Sequence, residues 1–182
     1  MAKIDRRVVR TQQALKTAIV ELMSEKSFDD ITLQDLSDRA NVSRGTIYLH
    51  YLDKYDLLDK LIESHIHEMR ESCRASLDLG FIEGTLVWTE YLDNNSSFFS
   101  MMLDSKGAPF FRDRFAEFLS EEFQNDVDVT RGKNKGLSKD LTVTFIISAY
   151  IGVIEWWFKE NKPITYQGLA QQLGTLLQRV YE

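Results

Sequence analysis

Three times between residues 31 and 57 the chain repeats one six-residue device: an apolar residue, a short polar residue able to cap a helix, and a second apolar residue at the end. The copies are ITLQDL (31–36), VSRGTI (42–47) and LDKYDL (52–57). Thr32, Ser43 and Asp53 are N-cap candidates, because their side-chain oxygens can accept from the free N–H groups of a first helical turn. Asp35 and Asp56 stand where a carboxylate can return that bond, and Ile31–Leu36, Val42–Ile47 and Leu52–Leu57 pair as hydrophobic staples. Three helix starts this close together permit only short helices and tight turns. Asn41 suits the left-handed conformation that ends a helix, so one helix stops near Ala40 and the next begins at Ser43.

The rest of the chain is helical in pattern too. Ala14, Leu15, Ala18, Ile19, Leu22 and Met23 set an apolar stripe, similar spacing recurs almost everywhere, and only two prolines, Pro109 and Pro163, occur in 182 residues. Alternating strand-like runs are missing, so the expected class is all-α with about nine helices. Residues 125–136 have loop composition. The single cysteine, Cys73, excludes an intrachain disulfide, and without clustered histidines no metal or other cofactor is expected. His65 and His67 face different sides of a helix, and the RGK of 131–133 lacks the spacing of a phosphate loop, so no catalytic residues are assigned. The basic N-terminus lacks the apolar stretch of a signal peptide, which fits the cytoplasm. Leu141–Phe158 is apolar enough to imitate a membrane span. It carries Glu155 and precedes another amphipathic segment, so a helix buried on all sides is expected instead, with no membrane partner.

The chemistry concentrates in residues 32–54. Leu33, Leu36 and Ala40 give one short helix an apolar face, and Val42, Ile47 and Tyr51 do the same for the next. Arg44, Gly45, Thr46, Tyr48 and His50 are left outside, which is the sorting of a helix-turn-helix whose second helix reads DNA. Gly45 inside a helix costs about 1 kcal/mol relative to alanine, and close approach to a DNA groove is a fitting compensation. Arg44 can read guanine, Thr46 a thymine methyl or phosphate, and Tyr48 a phosphate or base edge. Free N–H groups at the helix starts of Thr32, Ser43 and Lys54 favour phosphate.

The run ITLQDLSDRANVSRGTIYLHYLDKYDLL resembles the DNA-binding region of the TetR family of transcriptional regulators, whose pattern is S-x-G-T-x-Y-x-(H/Y)-F followed by x-x-K-x-x-L. Here the matching residues are Ser43, Gly45, Thr46, Tyr48, His50, Tyr51, Lys54 and Leu57, with Tyr51 in place of the usual phenylalanine. The resemblance covers about residues 8–65. It implies that Thr32, Arg44, Thr46, Tyr48, His50 and Lys54 lie at the DNA surface, with Tyr51 inside. Residues 1–52 then form a three-helix DNA-binding domain and residues 53–182 a larger helical domain for effector binding and dimerisation. The chain is acidic, with 22 Lys and Arg against 28 Asp and Glu. The excess lies beyond the reading region: residues 1–74 carry a net −1 and residues 75–182 a net −5. Lys3, Arg6, Arg7 and Arg10 suggest a basic arm over about residues 1–10 that reaches phosphates or a minor groove.

In the second domain the resemblance implies an inducer pocket. Trp88, Tyr91, Phe98, Phe99, Met102, Phe111, Phe115, Tyr150 and Trp156 are its candidate lining, although aromatics at helical spacing also simply fill a core. The last two helices carry too much apolar surface for one small chain to cover, so a two-fold four-helix bundle is expected. Ile147, Ile151, Ile154, Leu169, Leu173, Leu176 and Val180 are its candidate interface, with Gly168 and Gly174 permitting close approach. The whole reads as a homodimeric repressor, released from a palindromic double-stranded DNA operator by a small apolar or amphipathic effector. An activator or co-regulator working through a protein partner, or a helical adaptor that binds no DNA, are the alternatives.

Overall fold

A computed structural model describes residues 6–75, 79–103, 109–124 and 127–181. Among them the fold is all-α, with nine α-helices: α1 (Arg6–Glu25), α2 (Leu33–Ala40), α3 (Arg44–Tyr48), α4 (Lys54–Ala75), α5 (Phe81–Asn94), α6 (Ser96–Leu103), α7 (Pro109–Phe123), α8 (Lys139–Lys159) and α9 (Tyr166–Tyr181). Single 3-10 turns stand at Phe28–Asp30 and Gly132–Asn134. The chain divides into two units, residues 1–65 and 66–182, so that α4 contributes to both.

The first unit is built on the caps. Thr32 and Asp35 form a full capping box: the Asp35 N–H donates to Thr32 Oγ1 (3.1 Å) and the Thr32 N–H to Asp35 Oδ2 (2.7 Å). Asn41 takes φ 52° and ψ 49°, and the Val42 N–H reaches back to the Ser37 carbonyl (3.0 Å) while the Ser37 hydroxyl donates to the Val42 carbonyl (2.6 Å). Two reciprocal bonds therefore lock the turn that aims α3. Leu15, Ile19, Ile31, Leu36, Ile47, Leu57, Leu58 and Ile62 form the core beneath it. Each such side chain contributes about 1.5 to 3 kcal/mol when fully buried.

The third staple does not form. Leu57 is buried but Leu52 is 81% exposed, because Tyr51 occupies the inward position (3% exposed) and the chain bends at Leu52 and Asp53 before α4 begins. Asp53 still caps α4, accepting from the Tyr55 and Asp56 N–H groups (2.8 and 2.9 Å). Asp56 instead accepts from the Leu52 N–H (2.9 Å).

In the second unit α5 runs along α9, and α8 packs against α6 and α7. Thr142, Val143, Ile146, Ile147, Tyr150, Ile151, Ile154 and Trp157 form the buried side of α8. Its other side is open, with Leu141, Phe145 and Trp156 exposed at 66%, 60% and 45%, and Ser148, Ala149 and Gly152 between them. Long and apolar enough to cross a membrane, α8 is thus a two-sided helix here rather than one buried all round. The loop before it is anchored by Asn134, whose Nδ2 donates to the Val180 carbonyl (2.6 Å) near the end of α9.

Candidate nucleic-acid interface

Successive helical residues turn by about 100°, so α3 and the residues just after it sort into rows four apart. Ile47 and Tyr51 form the buried row, 1% and 3% exposed. Arg44 and Tyr48 make one outward row, both exposed, and Arg44 has no ion-pair partner among the described residues. Thr46 and His50, half-buried, make another. Ser43 Oγ accepts from the Thr46 N–H (3.1 Å) and lies 2.8 Å from Thr46 Oγ1, so these two hydroxyls are already paired. At Gly45 an added Cβ would meet only Ser43 Oγ, at 3.7 Å. Nothing inside the fold requires a glycine there.

Lys54 corrects the sequence expectation. Its ammonium donates to the carbonyls of Phe28 (2.9 Å), Asp29 (2.8 Å) and Ile31 (2.9 Å) and lies over the rings of Phe28 and Tyr55. All three of its N–H donors are used, so it is a strut joining the 3-10 turn to α4 and not a cation offered to phosphate. Thr32 is exposed, but its hydroxyl is spent in the capping box and on Asp35 Oδ2 (2.7 Å). The expected arm is also different: Arg6, Arg7 and Arg10 belong to α1, and Lys3 lies outside the described residues. Arg6 and Arg10 line an open groove with Val9, Gln13 and Arg39.

Several framing residues escaped the sequence reading. Arg39 of α2 bonds Glu25 (2.8 Å) and Glu21 (3.3 Å) of α1, and Lys26 bonds Asp35 (2.8 Å). Bonds from Lys26 and from Thr32 hold the Asp35 carboxyl far below the usual carboxylate range. Lys60 donates to Asp56 (3.0 Å) and to the His50 carbonyl (3.4 Å), fixing the end of the reading segment to α4. The Leu52 N–H, then Lys60, lower the Asp56 carboxyl, and burial followed by Asp56 raises the Tyr51 phenol. Only the Lys60–Asp56 spacing of four along one helix was available as a signal. Pairings between helices leave none.

In the second unit the proposed lining residues divide. Trp88, Phe98, Phe99, Met102, Phe111, Phe115 and Tyr150 are buried, and the aromatic rings among them pack on one another: Trp88 on Tyr150 at 4.7 Å, Phe98 on Phe99 at 5.1 Å, Phe111 on Phe115 at 5.4 Å. Tyr91 is half-buried with its hydroxyl on Glu68 (3.0 Å); burial, then that bond, raise its pKa. Trp156 is not among them, because it stands on the open side of α8. The expected interface is corrected in the same way. Ile147, Ile151, Ile154, Leu169 and Leu173 are buried in the chain's own core, whereas Leu176 is exposed and Val180 half-buried. Leu141 and Phe145, with Trp156, form the face that α8 leaves open.

Comparison with known proteins agrees with this geometry. Residues 15–61 match the family model for "Bacterial regulatory proteins, tetR family", and residues 81–179 match that for "Transcriptional regulator C-terminal region". An uncharacterized HTH-type transcriptional regulator of Bacillus subtilis, YxbF, is 40% identical over 179 residues. That match takes 90% of this chain and 43% of the relative, so the chain spans less than half of the relative's length. A TetR transcriptional regulator from Streptococcus agalactiae superposes with TM-score 0.75 at 26% identity, covering 94% of this chain and 96% of that one. The regulator FadR from Bacillus subtilis, solved in complex with stearoyl-CoA, shares the fold at TM-score 0.68 and 15% identity, over 91% of this chain and 96% of that one.

Proposed function

Because the chain belongs to the tetR family of bacterial regulatory proteins, we propose that this DNA-binding transcriptional regulator, which is not an enzyme, acts as a homodimeric repressor in the cytoplasm. Two copies of α3 enter successive major grooves of a palindromic operator, and a small apolar or amphipathic effector releases them. The observation that carries the reading is the division of labour in residues 26–60. Lys26, Arg39, Lys54 and Lys60 spend their charge on holding the head together, while Arg44 and Tyr48 are exposed on the turn-locked helix. A helix so aimed, with a bidentate donor at its start, suits base-edge reading.

The open side of α8 supports dimerisation: Leu141, Phe145 and Trp156 stand exposed on it with the small residues Ser148, Ala149 and Gly152 between them, on a helix whose opposite side is already packed. The buried ring cluster around Trp88 and Tyr150 supports an apolar effector, since it gathers large apolar faces in one place in the second unit. Effector occupancy would act by favouring one spacing of the two reading heads.

The test is selection of bound fragments from genomic DNA by the full chain. Inverted repeats with half-sites about 34 to 36 Å apart, or a multiple of that, are expected, with retention falling steeply as salt rises. The reading fails if no fragment is retained in a salt-dependent manner.

A further inference from the structure

The row of α3 that points furthest from the core is neither of the polar ones. Ile47 and Tyr51 face inward, and the row opposite them, half a turn round, is Gly45 and Leu49. The Arg44–Tyr48 row flanks it on one side and the Thr46–His50 row on the other. Leu49 follows α3 in right-handed helical conformation (φ −71°, ψ −19°) and is 81% exposed. Both members of this row are unexplained by the fold. A side chain at position 45 would meet only Ser43 Oγ at 3.7 Å, so the glycine lowers helix propensity with no internal return. Leu49 is a large apolar side chain left in water between two rows of hydrogen-bonding side chains, Arg44 and Tyr48 on one flank and Thr46 and His50 on the other.

We propose that Leu49 packs on the 5-methyl group of a thymine in the major groove, and that Gly45, one turn earlier on the same row, is the clearance that lets it arrive. The proposal rests on the DNA reading above and adds a base preference to it. Leucine has no donor or acceptor, so it cannot read the polar edges of guanine, cytosine or adenine. Among base edges in the major groove only thymine presents an apolar group. Packing isobutyl against methyl removes both from water. A Cβ at position 45 would stand the helix off from the groove floor and withdraw Leu49 with it. Arg44 and Tyr48 on one flank would then fix the register in which the methyl is met.

The experiment uses an operator obtained by selection with the full chain, in which each thymine is replaced in turn by deoxyuridine, removing only the methyl. Wild-type protein should lose about fourfold in affinity at one thymine per half-site, the fold-change equivalent to about 0.8 kcal/mol for one apolar carbon. Leu49→Ala should bind more weakly and be indifferent to that replacement, while keeping the wild-type melting temperature and its discrimination at the other positions. A flat deoxyuridine scan with the wild type overturns the proposal, as does a Leu49→Ala protein that still loses affinity at the same thymine. Failure of the wild type to select any operator is a different result, and overturns the DNA reading itself.

Discussion

Gly174 of α9 lies so close to Ile82 of α5 that a Cβ built on the glycine would stand 2.7 Å from the Ile82 Cα and 2.9 Å from the Phe81 carbonyl oxygen. The obstacles are backbone atoms, which cannot rotate away. Gly174→Ala should therefore separate the two helices and cost about 1 to 3 kcal/mol in urea unfolding. Gly168, on the same helix, is the control. Its added Cβ would come only to 3.4 Å from Thr165 Oγ1, so Gly168→Ala should be neutral or stabilising by up to about 1 kcal/mol.

Lys54 and Arg44 should part company under mutation. Lys54→Met leaves three carbonyls without their charged donor and should destabilise the head by about 1.5 to 3 kcal/mol. Arg44→Ala should leave the melting temperature unchanged, weaken operator binding by about 1 to 3 kcal/mol and relax the preference at one base position. A uniform loss across random DNA would make Arg44 a phosphate contact.

Gly45→Leu should fold, because the space around the position is open, yet bind operator poorly. Circular dichroism and a gel-shift titration read the two halves of this expectation. Operator affinity equal to wild type would remove the case for close approach.

The open side of α8 gives a test of assembly. Phe145, 60% exposed, changed to Glu should yield monomers by light scattering with unchanged helix content. Ile147→Ala, on the buried side, should instead cost about 2 to 5 kcal/mol of stability. A Phe145→Glu protein that remains dimeric would place the interface elsewhere.

Acid should distinguish Asp35. Its folded pKa is depressed, so its contribution to stability is present above the unfolded value, about 3.9, and disappears as pH falls through the folded one. The gap in urea midpoint between wild type and Asp35→Asn should be constant from about pH 7 to pH 5 and close below about pH 4.

How far the sequence could be read follows from how local each feature is. The caps at Thr32, Ser43 and Asp53 and the left-handed Asn41 lie within single turns, and their residue types name them. Leu52 misled because a staple and an exposed leucine share one pattern, and only the inward claim of Tyr51 decides between them. Lys54 misled for a related reason, since a lysine's reach extends to carbonyls 23 to 26 residues earlier in the chain. On α8 the apolar residues run nearly all round, so periodicity cannot say which side meets its own core. That choice depends on α6 and α7, and it reversed the assignment of the isoleucines and Trp156. Leu49 was legible in principle, lying opposite Ile47 and Tyr51 on a helical wheel, but a leucine among polar neighbours invites assignment to a core.

The struts of the head also bear on how such a regulator changes its target over evolutionary time. Lys26, Arg39, Lys54 and Lys60 hold the frame through contacts that do not involve the side chains of Arg44, Tyr48 or Leu49. Those three positions can drift without a toll on folding. A duplicated copy of the gene can thus acquire a new operator by a few outward substitutions on an inherited scaffold, and a library randomised at just these sites should yield many folded proteins with divergent DNA preferences.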